Sequence, residues 1–269
     1  MKIDIISDTH FDLHLDKDSL ENTEEFLQKV FIKTGSNVLI IAGDLGHFNS
    51  QNIAILKLIK ELYEYKYIIC ILGNHDYYLI DKIQEKQYER DSFKRAEEMR
   101  ELINAEDGMY CLDGDVVEID GIRFGGCSSW YDGSYFHRTS SSYGRNVITF
   151  WKQTMNDAKM IKGIEDFYDM FKIQREKLDV IYQQCDIIIT HVNPSIYDKD
   201  MPPSKRDDKM NAFYSFCGDE WLDNTTAKYW IYGHNHVSYE YKRDRVSVIC
   251  NALGYPAQLK DFKIRTVEI

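Results

Sequence analysis

Short apolar runs that stop abruptly at polar residues dominate the first third of the chain. Lys2 to Ser7, Asn37 to Ala42 and Tyr67 to Leu72 read as strands. The second is continuously apolar, the pattern of a strand buried on both faces. Between the strands the rhythm changes. Ser19 to Lys33 carries Leu20, Phe26, Leu27, Val30 and Phe31 at helical spacing, with Asp18 or Ser19 placed to cap it. Asn52 to Tyr65 is a second amphipathic helix. Strand, helix, strand, helix, strand describes a right-handed βαβαβ unit. In open sheets of this kind ligands bind off the carboxyl ends of the strands.

The rest alternates less regularly. Asp81 to Glu106 is charged and helix-compatible. Met109 to Leu112, Val116 to Ile119 and Ile122 to Gly125 read as a meander turning at Asp113-Gly114 and Asp120-Gly121. Trp130 to about Lys177 shows no strand pattern; it starts as a Gly/Ser/Tyr-rich loop and turns helical near Asn156 to Tyr182. It reads as an insertion over a site, about residues 127–177, within a single domain spanning 1–269. Cys185 to Thr190 and Ala227 to Tyr232 are further strands, separated by a polar loop and a short helix over Asn211 to Leu222. Ser238 to Tyr241, Val246 to Cys250 and Phe262 to Val267 close the chain as antiparallel strands.

Composition narrows this picture only at its edges. The chain has 269 residues, 43% hydrophobic and 29% charged, as in ordinary soluble globular proteins. No apolar run approaches the roughly 18 residues that span a membrane. The strand-like, acid-bearing start does not read as a signal peptide. The six cysteines are scattered without a C-x-x-C pair; Cys70, Cys185 and Cys250, in or beside apolar runs, are expected to be buried thiols, and a cytoplasmic location is the default expectation. A net charge of −11 argues against an extended nucleic-acid duplex as partner. It leaves room for a small phosphate ester, because bound cations invert the local preference for anions.

What the strands end in changes the picture more. Asp8 and His10, Asp44, Asn74 and His75, His191, and His234 and His236 all stand at or just past a strand end, with five of the eight histidines among them. Such side chains are poor core material, since burying them unpaired is costly. Residues two apart on an extended segment share a face, so Asp8 with His10, and His234 with His236, can each present two donors to one centre. Imidazole and carboxylate without thiolate suit Mn, Fe, Zn, Co or Ni. The set is too long for one ion. Each piece alone is commonplace: Gly43-Asp44 is an ordinary turn, and a strand-end histidine is usually capped.

D-x-H, G-D, G-N-H-D, a lone strand-end histidine and G-H-N-H, in this order, resemble the calcineurin-like metallophosphoesterases. The resemblance covers nearly the whole chain. It includes Thr190-His191-x-x-Pro194-Ser195, and Tyr232-Gly233-His234-Asn235-His236 ahead of Asn251-Ala252-Leu253-Gly254-Tyr255, a half similar to small bacterial or phage phosphoesterases. It implies an α/β fold, a four-layer α/β/β/α sandwich of two mixed sheets flanked by helices. It implies two divalent transition-metal ions, manganese first, with Fe, Zn, Ni or Co as alternatives. Asp8, His10, Asp44 and His236 would hold one ion, and Asp44, Asn74, His191 and His234 the other. The implied reaction is attack of a metal-bridging hydroxide on a phosphomonoester or phosphodiester, small molecule or nucleotide. His75 would be the general acid, since it follows Asn74 directly and can point away from the ion that Asn74 holds. A nuclease, or a phosphatase or phosphodiesterase of RNA or DNA ends, is the alternative. A non-catalytic metal-binding scaffold is the third reading, although no ligand of the set is missing.

His47 stands three residues after Asp44, where the protein-phosphatase branch carries an Asp that orients the catalytic histidine. It is expected either to contact substrate or to be structural. His14, Arg138 and Arg145 are further candidates for substrate contact, with Lys205 and Arg206 in a second loop. Trp130, Tyr131, Tyr135 and Phe136 either pack the insertion or stack on a base. Asp76 is expected to anchor its own turn.

Overall fold

A computed structural model describes residues 1–16, 22–139 and 146–269. Its three N-terminal strands are β1 (Lys2–Ile6), β2 (Val38–Ala42) and β3 (Tyr67–Ile71), hydrogen-bonded side by side in parallel. Alternate side chains point to opposite faces. Ile3, Ile5, Val38, Ile40, Ala42, Ile69 and Ile71 face one apolar layer, and Ile6, Leu39, Ile41, Ile68 and Cys70 face another. Both faces are therefore covered, as the continuous apolar runs require.

The first layer is closed by a second sheet, through Phe124, Ile187, Ile189, Ile231 and Ile249. The second is closed by helices. Among these are α3 (Asn49–Tyr63) and α5 (Ser92–Asn104), which contribute Ile55, Leu56, Ile59, Met99 and Ile103; before them come α1 (Phe11–His14) and α2 (Thr23–Val30), and between them α4 (Lys82–Gln87). The first sheet has the order β11-β1-β2-β3-β4, with β4 (Met109–Cys111) and β11 (Arg265–Glu268) at its edges. The second has the order β5-β6-β7-β8-β10-β9, from β5 (Asp115–Ile119), β6 (Ile122–Gly126), β7 (Ile187–Ile189), β8 (Tyr229–Tyr232), β9 (Ser238–Arg243) and β10 (Val246–Asn251). Each sheet is mixed: β11 runs antiparallel to β1, while β5 and β9 run antiparallel to their neighbours. The outer face of the second sheet carries α9 (Phe167–Ile181), so helices flank both sheets. The α/β/β/α sandwich is the observed fold.

Local expectations differ from it in several places. Met109 to Leu112 does not begin a meander: β4 pairs in parallel with β3 in the first sheet. The chain changes sheet just afterwards, where Leu112 N–H donates to Cys70 O (2.9 Å) and Gly114 N–H to Gly126 O (2.7 Å). The last strand likewise leaves the β9–β10 hairpin and returns to β1. Pairing partners are long-range choices that a run of apolar residues does not encode. Asp81 to Glu106 is two helices, each started by an aspartate: Asp81 accepts from Ile83 and Gln84 N–H, and Asp91 from Phe93 N–H.

The insertion turns helical earlier than expected, with α6 (Ser134–Thr139), α7 (Val147–Thr154) and α8 (Asp157–Met160) ahead of α9. Asn211 to Leu222 is not one helix but a 3-10 turn at Lys209–Phe213 followed, after an irregular link, by α10 (Asp219–Asn224). The expected cap at Asp18 or Ser19 lies outside the described residues. Among those described, no helix is long and apolar enough to cross a membrane.

Candidate metal centre

The carboxyl ends of β1, β2 and β3 deliver Asp8 with His10, Asp44, and Asn74 with His75. Those of β7 and β8, in the other sheet, deliver His191, and His234 with His236. The chain turns sharply at each point. Asp8 (φ 52°), His10 (39°), Asp44 (57°), His234 (66°) and His236 (50°) all lie in the left-handed region. Such backbone costs on the order of 1–3 kcal/mol per residue and tends to concentrate at functional sites.

Of these strand-end side chains the seven candidate ligands, all but His75, meet. Asp44 Oδ2 lies 3.3 Å from His191 Nε2 and 3.7 Å from His10 Nε2. Asp8 Oδ1 lies 3.5 Å from His236 Nε2. His10 Nε2 and His236 Nε2 are 3.1 Å apart, as are His191 Nε2 and Asn74 Oδ1. Among the described residues, two groups bring one ligand atom each within 4.8 Å of the others: Asp8, His10, Asp44 and His236, and Asp44, His191 and His234. Asp44 is common to both.

The donor set fits cations. His191 Nδ1–H donates to Ala42 O (2.8 Å), His234 Nε2–H to Phe213 O (2.8 Å) and His236 Nδ1–H to Gln258 Oε1 (3.1 Å). Each ring's other nitrogen is then a lone pair turned to the centre, the usual arrangement behind a metal-ligating histidine. Asn74 Nδ2 donates to Asp157 Oδ1 (2.8 Å) and to Tyr78 OH (2.9 Å), which leaves its Oδ1 for the centre. Asp44 Oδ2 is buried with no hydrogen-bond partner. Once the proton that Asp44 otherwise draws onto His191 Nε2 is displaced, lone pairs converge here, and a divalent ion satisfies them together.

The electrostatics agree. Burial alone raises Asp44, but the rings of His191, His75 and His10 outweigh it and hold the carboxyl well below its usual range. Burial opposes charge on His191 too, yet Asp44 and Asp8 push it up to about 9. His234 goes the other way, down to about 3, through burial and then the neighbouring His191. Asp44 thus stays ionised and draws positive charge onto one ring, while burial keeps His234 neutral.

His75 is fastened beside them. Its N–H donates to Asp44 Oδ1 (2.8 Å), and Arg95 donates to its carbonyl (2.9 Å). Its ring lies 4.4 Å from that of Tyr78. Burial, and then the rings of His47, His236 and His191, push it down to about 4 against the pull of Asp44. A cavity of about 290 Å³ opens above, with Asp44, Asn74, His75, His234 and His236 among its lining and Met155, Lys205, Tyr214 and Tyr255 on its walls.

A sequence model described as calcineurin-like phosphoesterase matches residues 1–238. The chain belongs to this family. As a calcineurin-like phosphoesterase it is a metal-dependent phosphoester hydrolase, and the two donor groups around Asp44 are able to hold the divalent metal the family uses. An uncharacterized protein of Acanthamoeba polyphaga mimivirus is 22% identical over 245 residues, 83% of this chain and 80% of that one. The phosphopantetheinyl hydrolase of Mycobacterium tuberculosis shares the fold, with a TM-score of 0.64 and 17% identity over 99% of this chain and 95% of that chain. A putative 5′-nucleotidase of Staphylococcus aureus matches at a TM-score of 0.44 and 13% identity, over 93% of this chain and 48% of that chain.

Not every candidate from the sequence reaches the site of this phosphoesterase. His14 Nε2 is bound to Gly254 O (2.9 Å) and its ring stacks on Phe26, so it braces a loop behind the site. Arg138 donates to Ile196 O (2.8 Å) and covers the Tyr197 ring, away from the cavity. Arg145 lies outside the described residues. Trp130, Tyr131, Tyr135 and Phe136 are buried and pack the insertion. His47 Nε2 lies 3.0 Å from His75 Nδ1, and His47 is not part of the cavity lining.

Three participants carried no signal in the sequence. Asp157 holds Asn74 from α8, Arg95 holds His75 from α5, and Gln258 holds His236. Each is an ordinary polar residue outside any motif, found only through its contacts.

Proposed function

We propose that this phosphoesterase hydrolyses a small phosphomonoester or phosphodiester, nucleotides included, at a centre of two divalent transition-metal ions, manganese first. The observation that carries this is the convergence of two donor groups on the shared Asp44, with His75 beside it at the floor of a walled cavity. Asp8, His10, Asp44 and His236 would hold one ion, and Asp44, Asn74, His191 and His234 the other. When bound, such a pair supplies Lewis-acid stabilisation of phosphoryl charge and hydroxide at neutral pH.

The chain's own residues do the rest. The backbone N–H of His75 is tied to Asp44, so its ring keeps a fixed relation to the reacting phosphorus. His75 delivers a proton from Nε2 to the leaving oxygen. The anionic ester, once beside the ring, supplies the negative charge that favours the ring's protonated form. Tyr78 and Tyr255 exclude water from the two sides, and Lys205 offers the cavity a positive charge.

The small volume of the cavity favours a small ester or a chain end over an extended duplex, as does the net charge of −11. We infer that the part of residues 127–177 ahead of α9 acts as a cap, since Met155 and Asp157 reach the site, while α9 itself belongs to the outer layer of the second sheet.

The test is turnover of 4-nitrophenyl phosphate, its bis ester and phenyl phosphate by manganese-loaded protein. Activity is expected on at least one of them, with Asp44→Asn abolishing it. His75→Ala is expected to slow the phenyl ester about a hundredfold or more. Turnover that survives exhaustive chelation, or that ignores Asp44→Asn, would refute the reading.

A further inference from the structure

Behind His75 stands a pair of residues that the metal centre does not use. Asp12, on α1, approaches His47, in the loop after β2. Asp12 Oδ2 lies 2.7 Å from His47 Nδ1, and Oδ1 accepts the His47 backbone N–H at 3.0 Å. The other ring nitrogen, His47 Nε2, lies 3.0 Å from His75 Nδ1. Gly46 allows the approach, since a Cβ there would stand 2.7 Å from Asp12 Oδ1. The pair is enclosed: the side chains of His47 and Asp12 are 10% and 5% exposed. His47 also lies parallel to Tyr78, with ring planes 13° apart, and Gln84 donates to its carbonyl (2.7 Å).

We propose that Asp12 and His47 are positioning residues that fix the ring and tautomer of His75 for proton delivery. The inference rests on the reading of His75 as the acid. It follows from the chemistry of three contacts in a row. An ionised carboxylate only accepts, so His47 Nδ1 carries the proton. With that proton on Nδ1, Nε2 is an acceptor. His75 Nδ1 then has to donate, and Nε2 is the nitrogen left for substrate. As the bond from phosphorus to the leaving oxygen breaks, its electron pair stays on that oxygen and takes the Nε2 proton. The electron pair of the N–H remains on His75, which keeps the Nδ1 proton donated to His47. No proton leaves His47 or Asp12. His47 thus neither contacts substrate nor merely fills space. It does by imidazole what a single carboxylate would do by direct contact, and it needs Asp12 because an unaided imidazole accepts at Nε2 in only one of its tautomers.

Asp12→Asn is the decisive change. The amide keeps an oxygen for the His47 backbone, but turns an N–H toward Nδ1 and so reverses the tautomer of His47. Two N–H groups then oppose each other at His75. In manganese-loaded full-length protein, Asp12→Asn is expected to lower kcat on phenyl phosphate by about 10- to 100-fold with KM little changed, a fraction of the roughly 10⁴-fold that a wrong tautomer costs in a directly coupled pair. The loss on 4-nitrophenyl phosphate, whose leaving group needs little help, should be several-fold smaller. His47→Gln puts an amide oxygen where Nε2 was and should retain most of the rate on phenyl phosphate, while His47→Ala should not. Adding Asp12→Asn to His47→Gln should cost nothing more, because the tautomer no longer matters. Equal losses on both esters, or full additivity in the double variant, would overturn the proposal while leaving the acid role of His75 intact. If His75→Ala does not itself discriminate between the two esters, the acid reading falls and this one with it.

Discussion

At the scale of single residues, what counts is whether a buried polar group is satisfied. Asp4, in β1, and Asp44, just past the end of β2, are both buried aspartates. Asp4 accepts hydroxyl hydrogen bonds from Thr34, Ser36, Tyr65 and Thr266, at 2.6–2.8 Å, and needs nothing further. Asp44 keeps an oxygen without a donor. Hydrogen-bond accounting thus separates a satisfied carboxylate from one with an oxygen free to take a cation. Space is a second residue-level constraint. Gly73 has an ordinary φ of −101°, so glycine is not there for its backbone. A Cβ at this position would stand 2.2 Å from Asp44 Oδ1 and 2.6 Å from His191 Cε1. Gly73→Ala is therefore expected to displace both side chains and lower kcat by about a hundredfold, the usual cost of a misplacement near 1 Å. Metal content per chain, measured by elemental analysis, should fall with it while the far-UV spectrum is kept.

At the scale of elements, the loops after β2 and β3 are held by side chains outside the lining of the cavity. The Asp76 carboxylate accepts from Gly73 N–H (2.8 Å), as an anchor of its own turn, and also from Asp44 (2.9 Å) and Leu45 (3.0 Å) N–H across the gap. Arg95, buried on α5, donates to Gly46 O (2.6 Å), His75 O (2.9 Å) and Tyr78 O (3.1 Å). One helix therefore sets the spacing between two strand ends. The Asp4 cluster does its work elsewhere, tying β1 to β11 and to the segment before β2. Asp4→Asn is expected to cost about 2 kcal/mol in urea unfolding, as a charged acceptor of several hydroxyls is replaced by a neutral one. Steady-state kcat should be unchanged. A fall in kcat at unchanged stability would mean that β1 transmits more to its functional end than position.

At the scale of the molecule, the centre lies where two sheets meet. Asp8, His10, Asp44 and Asn74 come from the first sheet, and His191, His234 and His236 from the second. An ion held from both sides would join the sheets in the folded state and would have no such site in the unfolded one. Ligand linkage then requires stabilisation, about 2.7 kcal/mol at a free concentration a hundredfold above Kd. For a chain of this size that corresponds to a Tm rise of roughly 5–10 °C. Scanning calorimetry with manganese and with chelator should show it. Asp44→Asn should remove most of the shift, because both donor groups lose their common member.

The sequence by itself determined the strand and helix order of the first βαβαβ unit, the family and the identity of the residues at the strand ends. These are local facts: apolar runs of strand length, helical spacing between them, and polar residues where the runs stop. It also showed that His47 stands in place of an expected carboxylate. Only the tertiary structure decided that Asp12 lies behind it, that Asp157 and Arg95 brace Asn74 and His75, and that His14 and Arg138 turn elsewhere. It alone decided that β4 and β11 belong to the first sheet. The physical reason is the same in each case. Hydrogen-bond partners and strand neighbours are chosen among groups tens to hundreds of residues apart, and no local pattern of apolar and polar positions records which distant group will be within 3 Å.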